Sequence, residues 1–233
     1  MKDQTARLEW EVSRIHKIYS ERKKLFQSMV RMALGLERVS PHGLKGLIRL
    51  LGLKKQTEFL TYPMLYKSYE SIPYNPYEEW FSVWCGDKDC SFALTPDGKD
   101  FYDLAKPIRQ TRTISLSQDL VLSSDQFQRA VSSSPRMDFW TQRNGVPQGW
   151  LWEPVNIAMI EDRDGAIQLG ILQGVGAIEV HNVYDISAVY DFVYCDGENF
   201  IRSWDGKVVA PVYDPAFAAI FEIGRMILKQ KKG

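Results

Sequence analysis

Apolar residues recur at alternating spacings of four and three through the first part of the chain, a heptad pattern typical of an amphipathic helix. The stripe consists of Leu8, Val12, Ile15, Tyr19, Arg22, Phe26, Met29, Ala33 and Leu36. This spacing predicts one helix over residues 5–37, with Arg22 as the interruption of the apolar stripe. Ile18, Leu25 and Met32 widen the stripe on one side, which favours packing against a domain. An intermolecular coiled coil is the alternative.

A second helix is predicted directly after the first. Ser40 is a suitable N-cap, and Pro41 fits the first helical position because its missing N–H costs nothing there. The apolar face of this helix carries Leu44, Leu47, Ile48 and Leu51. A basic face carries Lys45, Arg49 and Lys55. The two predicted helices form a basic helical arm over residues 1–60, and an acidic α+β body is predicted over residues 61–233.

Strand signals dominate the body after a connector, rich in tyrosine and proline, at residues 61–79. Predicted strands cover residues 80–84, 91–94, 111–122, 156–160, 166–172, 188–194, 200–204 and 207–212. The strand over 111–122 is expected to break near Gln118, and a final helix begins at Asp214. Asp-Gly turns between the later strands are typical of an antiparallel meander. The pattern predicts an α+β fold with a mainly antiparallel β-sheet, a meander of about five to seven strands, and packed N- and C-terminal helices.

Charge is distributed unevenly along the chain, although the formal net charge is zero. Residues 1–60 contain 13 Lys and Arg against 6 Asp and Glu, whereas residues 61–233 contain 16 against 23. Such asymmetry can indicate contact with nucleic acid or a membrane, or attraction between the two parts of the chain or between two copies. Overall neutrality favours attraction. The arm is therefore expected to dock on an acidic protein surface, its own or another's.

Cysteine content and the lengths of the apolar runs bear on cellular location. The longest apolar stretches are far short of the ~20 residues that a membrane helix needs, and the first residues start no export signal. Cys85, Cys90 and Cys195 form an odd set that is sparse for a secreted scaffold, so they are expected to be reduced. These features predict a cytoplasmic protein without a membrane span.

The one histidine in a polar cluster of the C-terminal half is His181. If residues 179–185 form a strand, Glu179 and His181 share a face and would form a general acid–base pair, with Asp185 nearby. This arrangement would suit a small hydrolase or transferase. An edge strand with solvated polar side chains is the competing interpretation, and the sequence favours it.

Motifs for metals and nucleotides are incomplete in this sequence. Cys85 and Cys90 lack a second pair of zinc ligands, and the segment 162–165 lacks the remaining positions of a calcium loop. Gly174 and Gly176 form a G-x-G without a third glycine. The sequence therefore predicts no cofactor and no metal site.

Three tryptophans surround a polar, glycine-containing loop at residues 139–152. The candidate contact residues in this segment are Trp140, Arg143, Asn144, Trp150 and Trp152. Large aromatic rings beside Arg and Asn are typical of sites that bind a peptide, a sugar or a base. The same rings can instead fill the core at the start of a strand, with Trp150 and Trp152 on one face. Core packing is the favoured interpretation.

The heptad stripe, the charge asymmetry and the missing catalytic motifs together predict a non-catalytic interaction protein. It would act through protein–protein contacts made by the helical arm, the tryptophan loop, or both. The expected partner is another protein or a second copy of the chain. Lys45, Arg49 and Lys55 could instead contact phosphates, which keeps a nucleic-acid-associated protein as an alternative. The acidity of the body argues against that alternative.

Overall fold

The structure is a computed structural model that describes residues 2–40, 42–65, 93–123, 148–161 and 166–232. The helices are α1 Lys2–Val39, α2 Gly43–Leu65, α3 Phe101–Leu104, α4 Ala166–Gln173, α5 Val189–Phe192 and α6 Pro215–Lys232. The strands are β1 Lys106–Ile108, β2 Arg112–Ser115, β3 Leu120–Ser123, β4 Gln148–Glu153, β5 Ile157–Glu161, β6 Ala177–Val180, β7 Asn182–Asp185, β8 Val193–Cys195, β9 Asn199–Arg202 and β10 Val208–Pro211. The predicted α+β class and terminal helices are confirmed.

The central sheet has five strands in the order β1-β7-β4-β5-β3. The pairs β1–β7 and β4–β5 are antiparallel, whereas β4–β7 and β3–β5 are parallel. The predicted mainly antiparallel meander is therefore wrong for this sheet, which is mixed. Parallel neighbours require crossover connections that local turn signals do not reveal.

The predicted antiparallel meander is present in a smaller, three-stranded sheet, in which β8, β9 and β10 are antiparallel neighbours. Its two turns contain Gly197 at φ 93° and Gly206 at φ 70°, the left-handed conformation that Asp-Gly turns supply. The predicted break near Gln118 is also confirmed, because β2 ends at Ser115 and β3 begins at Leu120. These two strands belong to different sheets, since β2 pairs with β6.

Two predicted strands are partly or wholly helical. Residues 166–172, expected to form a hairpin with β5, lie in α4, where Ile167 is buried and Ile171 packs beside the same core. A short apolar run does not distinguish a buried strand from a buried helix, and that ambiguity explains the error. Within the predicted strand 188–194, residues Val189–Phe192 form α5, and β8 begins at Val193. The predicted strand at 80–84 and the first half of the one at 91–94 lie outside the described residues, and residues 93–94 are not in a strand.

Each face of the central sheet packs against its own hydrophobic core, because successive side chains of a strand point to opposite faces. Trp152, Ile157 and Met159 point into the larger core. The alternate residues Leu151 and Ala158 point into the smaller one, which β2, β6 and α4 close.

The larger core is shared with the terminal helices. The helices α1 and α2 contact each other, and both contact α6. Phe26 and Ala33 of α1, together with Leu44 and Ile48 of α2, are buried in this core. The helix α2 continues past Pro63 to Leu65, five residues beyond the predicted limit of the arm. No helix in the described part of the chain is long and apolar enough to cross a membrane.

Candidate functional site

The buried side of α1 rests on the turn between β8 and β9. At Gly197 an added Cβ would lie 2.5 Å from Cδ1 of Phe26, so only glycine allows the ring to approach this closely. Nζ of Lys23 lies 3.3 Å from Oε1 of Glu198 in the same turn. Ala33, one heptad after Phe26, is also fully buried. The apolar residues of the predicted heptad stripe therefore pack on the chain's own body wherever their side chains are described.

The basic residues predicted on α2 do not share one exposed face. Lys55 is buried, with its Nζ 2.5 Å from Oδ2 of Asp214 and 2.6 Å from Oε2 of Glu58. Arg49 is half-buried, and its Nη2 donates to the carbonyl oxygen of Ser117. Only Lys45 of the three is exposed. A surface for phosphates built from all three side chains is therefore absent from the described residues.

The ion pair between Lys55 and Asp214 joins α2 to the start of α6. Oδ1 of Asp214 accepts hydrogen bonds from the backbone N–H of Ala216 at 2.7 Å and of Phe217 at 3.2 Å, which makes Asp214 the N-cap of α6. Burial opposes the charge of the ammonium group, but the charges and hydrogen bonds of Asp214 and Glu58 raise the pKa of Lys55 above its ordinary value. Lys55, one of the basic residues of the predicted arm, thus pairs with acidic residues of the same chain.

The outer side of α1 carries apolar residues that are exposed in the described part of the structure. Leu25 is 53% exposed, Met32 is 56% exposed and Val39 is 84% exposed. They lie seven residues apart, and each follows an exposed cation. We call the six residues the outer stripe: Lys24, Leu25, Arg31, Met32, Arg38 and Val39. The sequence pattern predicted that Leu25 and Met32 pack against a domain, and the structure places both in solvent.

Within the described part of the chain, the cations of the outer stripe have no counter-charge. Among the described residues, no carboxylate forms an ion pair with Lys24, Arg31 or Arg38. From Leu25 to Val39 the stripe rises about 21 Å along the helix, at about 1.5 Å per residue. It is a basic and partly apolar surface on a helix whose opposite side is fixed to the core.

The described tryptophans of the 139–152 segment lie in β4, between β5 and β7 of the central sheet. Trp152 is buried, and its ring stacks on Tyr184 with centroids 5.1 Å apart and tilts against Phe101 at 6.0 Å. Trp150 is half-buried and packs against the same core. Trp140, Arg143 and Asn144 lie outside the described residues. The core interpretation therefore fits Trp152, and contact with a partner at the remaining positions stays a prediction.

Glu179, His181 and Asp185 each have a different neighbour in the structure. Glu179 is exposed on β6, opposite Thr113 of β2. Nδ1 of His181 lies 2.9 Å from Oγ1 of Thr111. Oδ1 of Asp185, on β7, accepts a hydrogen bond from the backbone N–H of Ser187 at 2.8 Å.

No hydrogen bond or ion pair joins Glu179, His181 and Asp185 in the part of the chain that the structure describes. A general acid–base pair needs its members within hydrogen-bonding reach of a shared substrate. Within the same described residues, no three His, Cys, Asp or Glu side chains are grouped so as to hold a metal ion.

A polar network around α6 had no counterpart in the sequence predictions. Glu222 and Arg225 form an ion pair at 2.8 Å, and Arg225 also donates to the carbonyl oxygens of Tyr190 and Val193. Oε1 of Glu222 accepts from the backbone N–H of Cys195 at 2.8 Å. The spacing of Glu222 and Arg225, three residues apart on an amphipathic helix, is the sequence signal that could have indicated the pair.

Cys195 lies in this network and is a buried, free thiol. Burial raises its pKa to about 12, which keeps the sulfur protonated and unreactive at neutral pH. Burial also raises the pKa of the Tyr190 hydroxyl well above its ordinary value. The network therefore stabilises the contact between α6 and the smaller sheet, and its groups are poorly suited to nucleophilic chemistry.

These features define an α+β protein in which two N-terminal helices and a C-terminal helix cover one face of a mixed sheet. Residues 10–232 match DUF6710, which is described as a family of unknown function, and the chain belongs to this family. None of the curated proteins and none of the solved structures compared with the chain gives a match.

Proposed function

We propose that the chain is a non-catalytic binding protein that contacts another protein through the outer stripe of α1. The observation that carries the proposal is the exposure of Leu25, Met32 and Val39 at heptad spacing beside three cations that have no ion pair in the described residues. Single exposed apolar residues are ordinary on a protein surface, but an aligned set on one helix face is typical of an interaction site.

The second support is the way in which α1 is held. Its opposite face is buried against α6 and the β8–β9 turn, with Phe26 against Gly197 and Ala33 fully buried. A partner would therefore meet a helix that is already ordered. Binding to a preorganised surface avoids the entropy cost of ordering the helix, which favours affinity.

The third support is the placement of the other candidate residues. Lys55 and Trp152 have internal contacts that account for them, and no hydrogen bond or ion pair joins Glu179, His181 and Asp185 among the described residues. The outer stripe lies in the predicted helical arm, and the described structure supplies no internal use for it.

Site-specific photo-cross-linking in the native cell tests this proposal. A photoreactive amino acid replaces Met32 in one variant and Val175 in the control. Val175 is 46% exposed and follows α4 in the chain. Since α4 packs on the smaller core, it lies on the face of the central sheet that α1 does not cover. We expect a discrete protein adduct from position 32, absent from position 175 and reduced by Arg31→Glu. No protein adduct at position 32, or equal adducts at both positions, would overturn the proposal.

A further inference from the structure

The outer stripe belongs to a longer seam on α1. Exposed Ser28 lies between Leu25 and Met32, and exposed Gly35 lies between Met32 and Val39. The five positions follow the spacing three, four, three, four, which is the seam of a coiled coil. Large and small side chains alternate along it, so the small positions form depressions between the large ones.

Gly35 has no evident role in the chain's own fold. A Cβ added there would meet nothing within 4 Å, and no positive φ requires glycine at this position. Glycine inside a helix costs about 1 kcal/mol relative to alanine. Gly35 weakens the helix and does not serve the chain's own packing. A close approach by the backbone or a large side chain of another molecule would explain why glycine is present there.

The positive charge of α1 beside the seam favours a partner with negative charge. Lys24, Arg31 and Arg38 flank the seam at heptad spacing, and they have no ion pair among the described residues. Two copies of α1 meeting seam to seam would bring these cations together, which is unfavourable. Carboxylates at heptad spacing on the opposing surface would instead complement them.

We propose that the partner presents an acidic amphipathic helix, with large apolar residues at heptad spacing and Asp or Glu beside them, which pairs with α1 along this seam. This inference rests on the proposed function and adds the chemistry of the partner to it. Large apolar side chains of the partner enter the depressions at Ser28 and Gly35. Its carboxylates face Lys24, Arg31 and Arg38.

Synthetic peptides of four heptads, mixed with the full-length chain and followed by fluorescence anisotropy, test the inference. One peptide carries Leu at its seam positions and Glu beside them. A second carries Lys in place of Glu, and a third keeps the Glu composition but breaks the heptad spacing of Leu. Both Glu and Lys versions repel their own copies, so self-association of the peptides does not obscure binding.

We expect the Glu heptad peptide to bind at least about tenfold more tightly than the other two, and its affinity to fall as salt is added. Gly35→Leu should reduce this binding by about tenfold or more because it fills the depression. Gly46→Leu is the matched control, since Gly46 is also an exposed helical glycine with nothing within 4 Å of an added Cβ, but it lies on α2. Circular dichroism checks that both variants are folded.

Equal binding of the Glu and Lys peptides, equal effects of the two leucine variants, or no binding of the Glu peptide would overturn the inference. So would seam-dependent self-association of the chain in sedimentation, or a preference for phosphatidylserine vesicles over the Glu peptide. If the partner's chemistry alone is wrong, the protein cross-link at position 32 persists while the peptides fail. If the proposed function is wrong, that cross-link is absent too.

Discussion

Lys55 of α2 and Asp214 at the start of α6 form a buried ion pair, with Nζ 2.5 Å from Oδ2. The other oxygen of the same carboxylate caps α6 through the N–H of Ala216. One carboxylate thus connects the second helix to the last one. This contact ties α2 to α6, and α1 packs against both of these helices.

Lys55→Met should destabilise the protein by about 3 kcal/mol, because removing one partner leaves the buried Asp214 carboxylate without its counter-charge. The free energy of unfolding measured in urea gives this value directly. Lys45→Met is the matched control, since Lys45 is exposed on the same helix, and its effect should stay within about 0.5 kcal/mol. Equal effects of the two substitutions would show that the ion pair does not stabilise the fold.

The contribution of Lys55 to the free energy of unfolding should be lost at alkaline pH. The pKa of Lys55 is raised in the folded protein above its ordinary value of 10.5. The stabilisation is therefore fully present below pH 10.5 and is lost as pH rises through the folded value. The unfolding free energy of the wild type minus that of Lys55→Met, measured from about pH 7 to about pH 11.5, should be flat and then fall. A difference that falls near neutral pH would contradict the assignment.

Gly197→Ala should disrupt the contact between α1 and the body. The substitution meets the ring of Phe26 and also has to adopt φ 93°. Gly206→Ala carries a similar backbone penalty at φ 70° but meets nothing within 4 Å. We expect Gly197→Ala to cost about 1–3 kcal/mol more than Gly206→Ala in unfolding free energy. Combining Gly197→Ala with Phe26→Ala should remove most of this excess, and simple additivity would show that the contact is not formed.

Gly35→Ala and Gly46→Ala should each stabilise the chain by about 1 kcal/mol, because both glycines lie in helices with open space around an added methyl group. Thermal unfolding of the two variants provides the measurement. A loss of stability in Gly35→Ala alone would mean that Gly35 serves the chain's own fold, and the seam would then lose one of its supports.

The local patterns of the sequence predicted much of the architecture. Heptad spacing located α1 and its buried residues Phe26 and Ala33, and Asp-Gly turns located the three-stranded sheet. Residues 166–172 were assigned wrongly because a short buried helix and a buried strand have the same apolar run. Parallel pairing in the central sheet escaped prediction because it depends on contacts distant in the sequence.

The candidate surface was harder to predict than the fold. Two adjacent apolar stripes on α1 have similar composition, and only tertiary packing determines that Phe26 is covered while Met32 is exposed. Lys55 looked like part of a basic surface because its partner Asp214 is far away in the sequence. The division of the chain at residue 60 and the roles of Trp140, Arg143 and Asn144 stay predictions.

The affinity of the protein captured at position 32 for the purified chain tests the central claim most directly. Met32→Glu introduces a charge at the middle of the outer stripe, and we expect it to weaken binding by roughly thirtyfold or more. Val175→Glu, with the same change at a comparably exposed position on the other side of the sheet, should leave the affinity unchanged. If both variants bind like the wild type, or if Val175→Glu weakens binding as much, the outer stripe is not the binding surface.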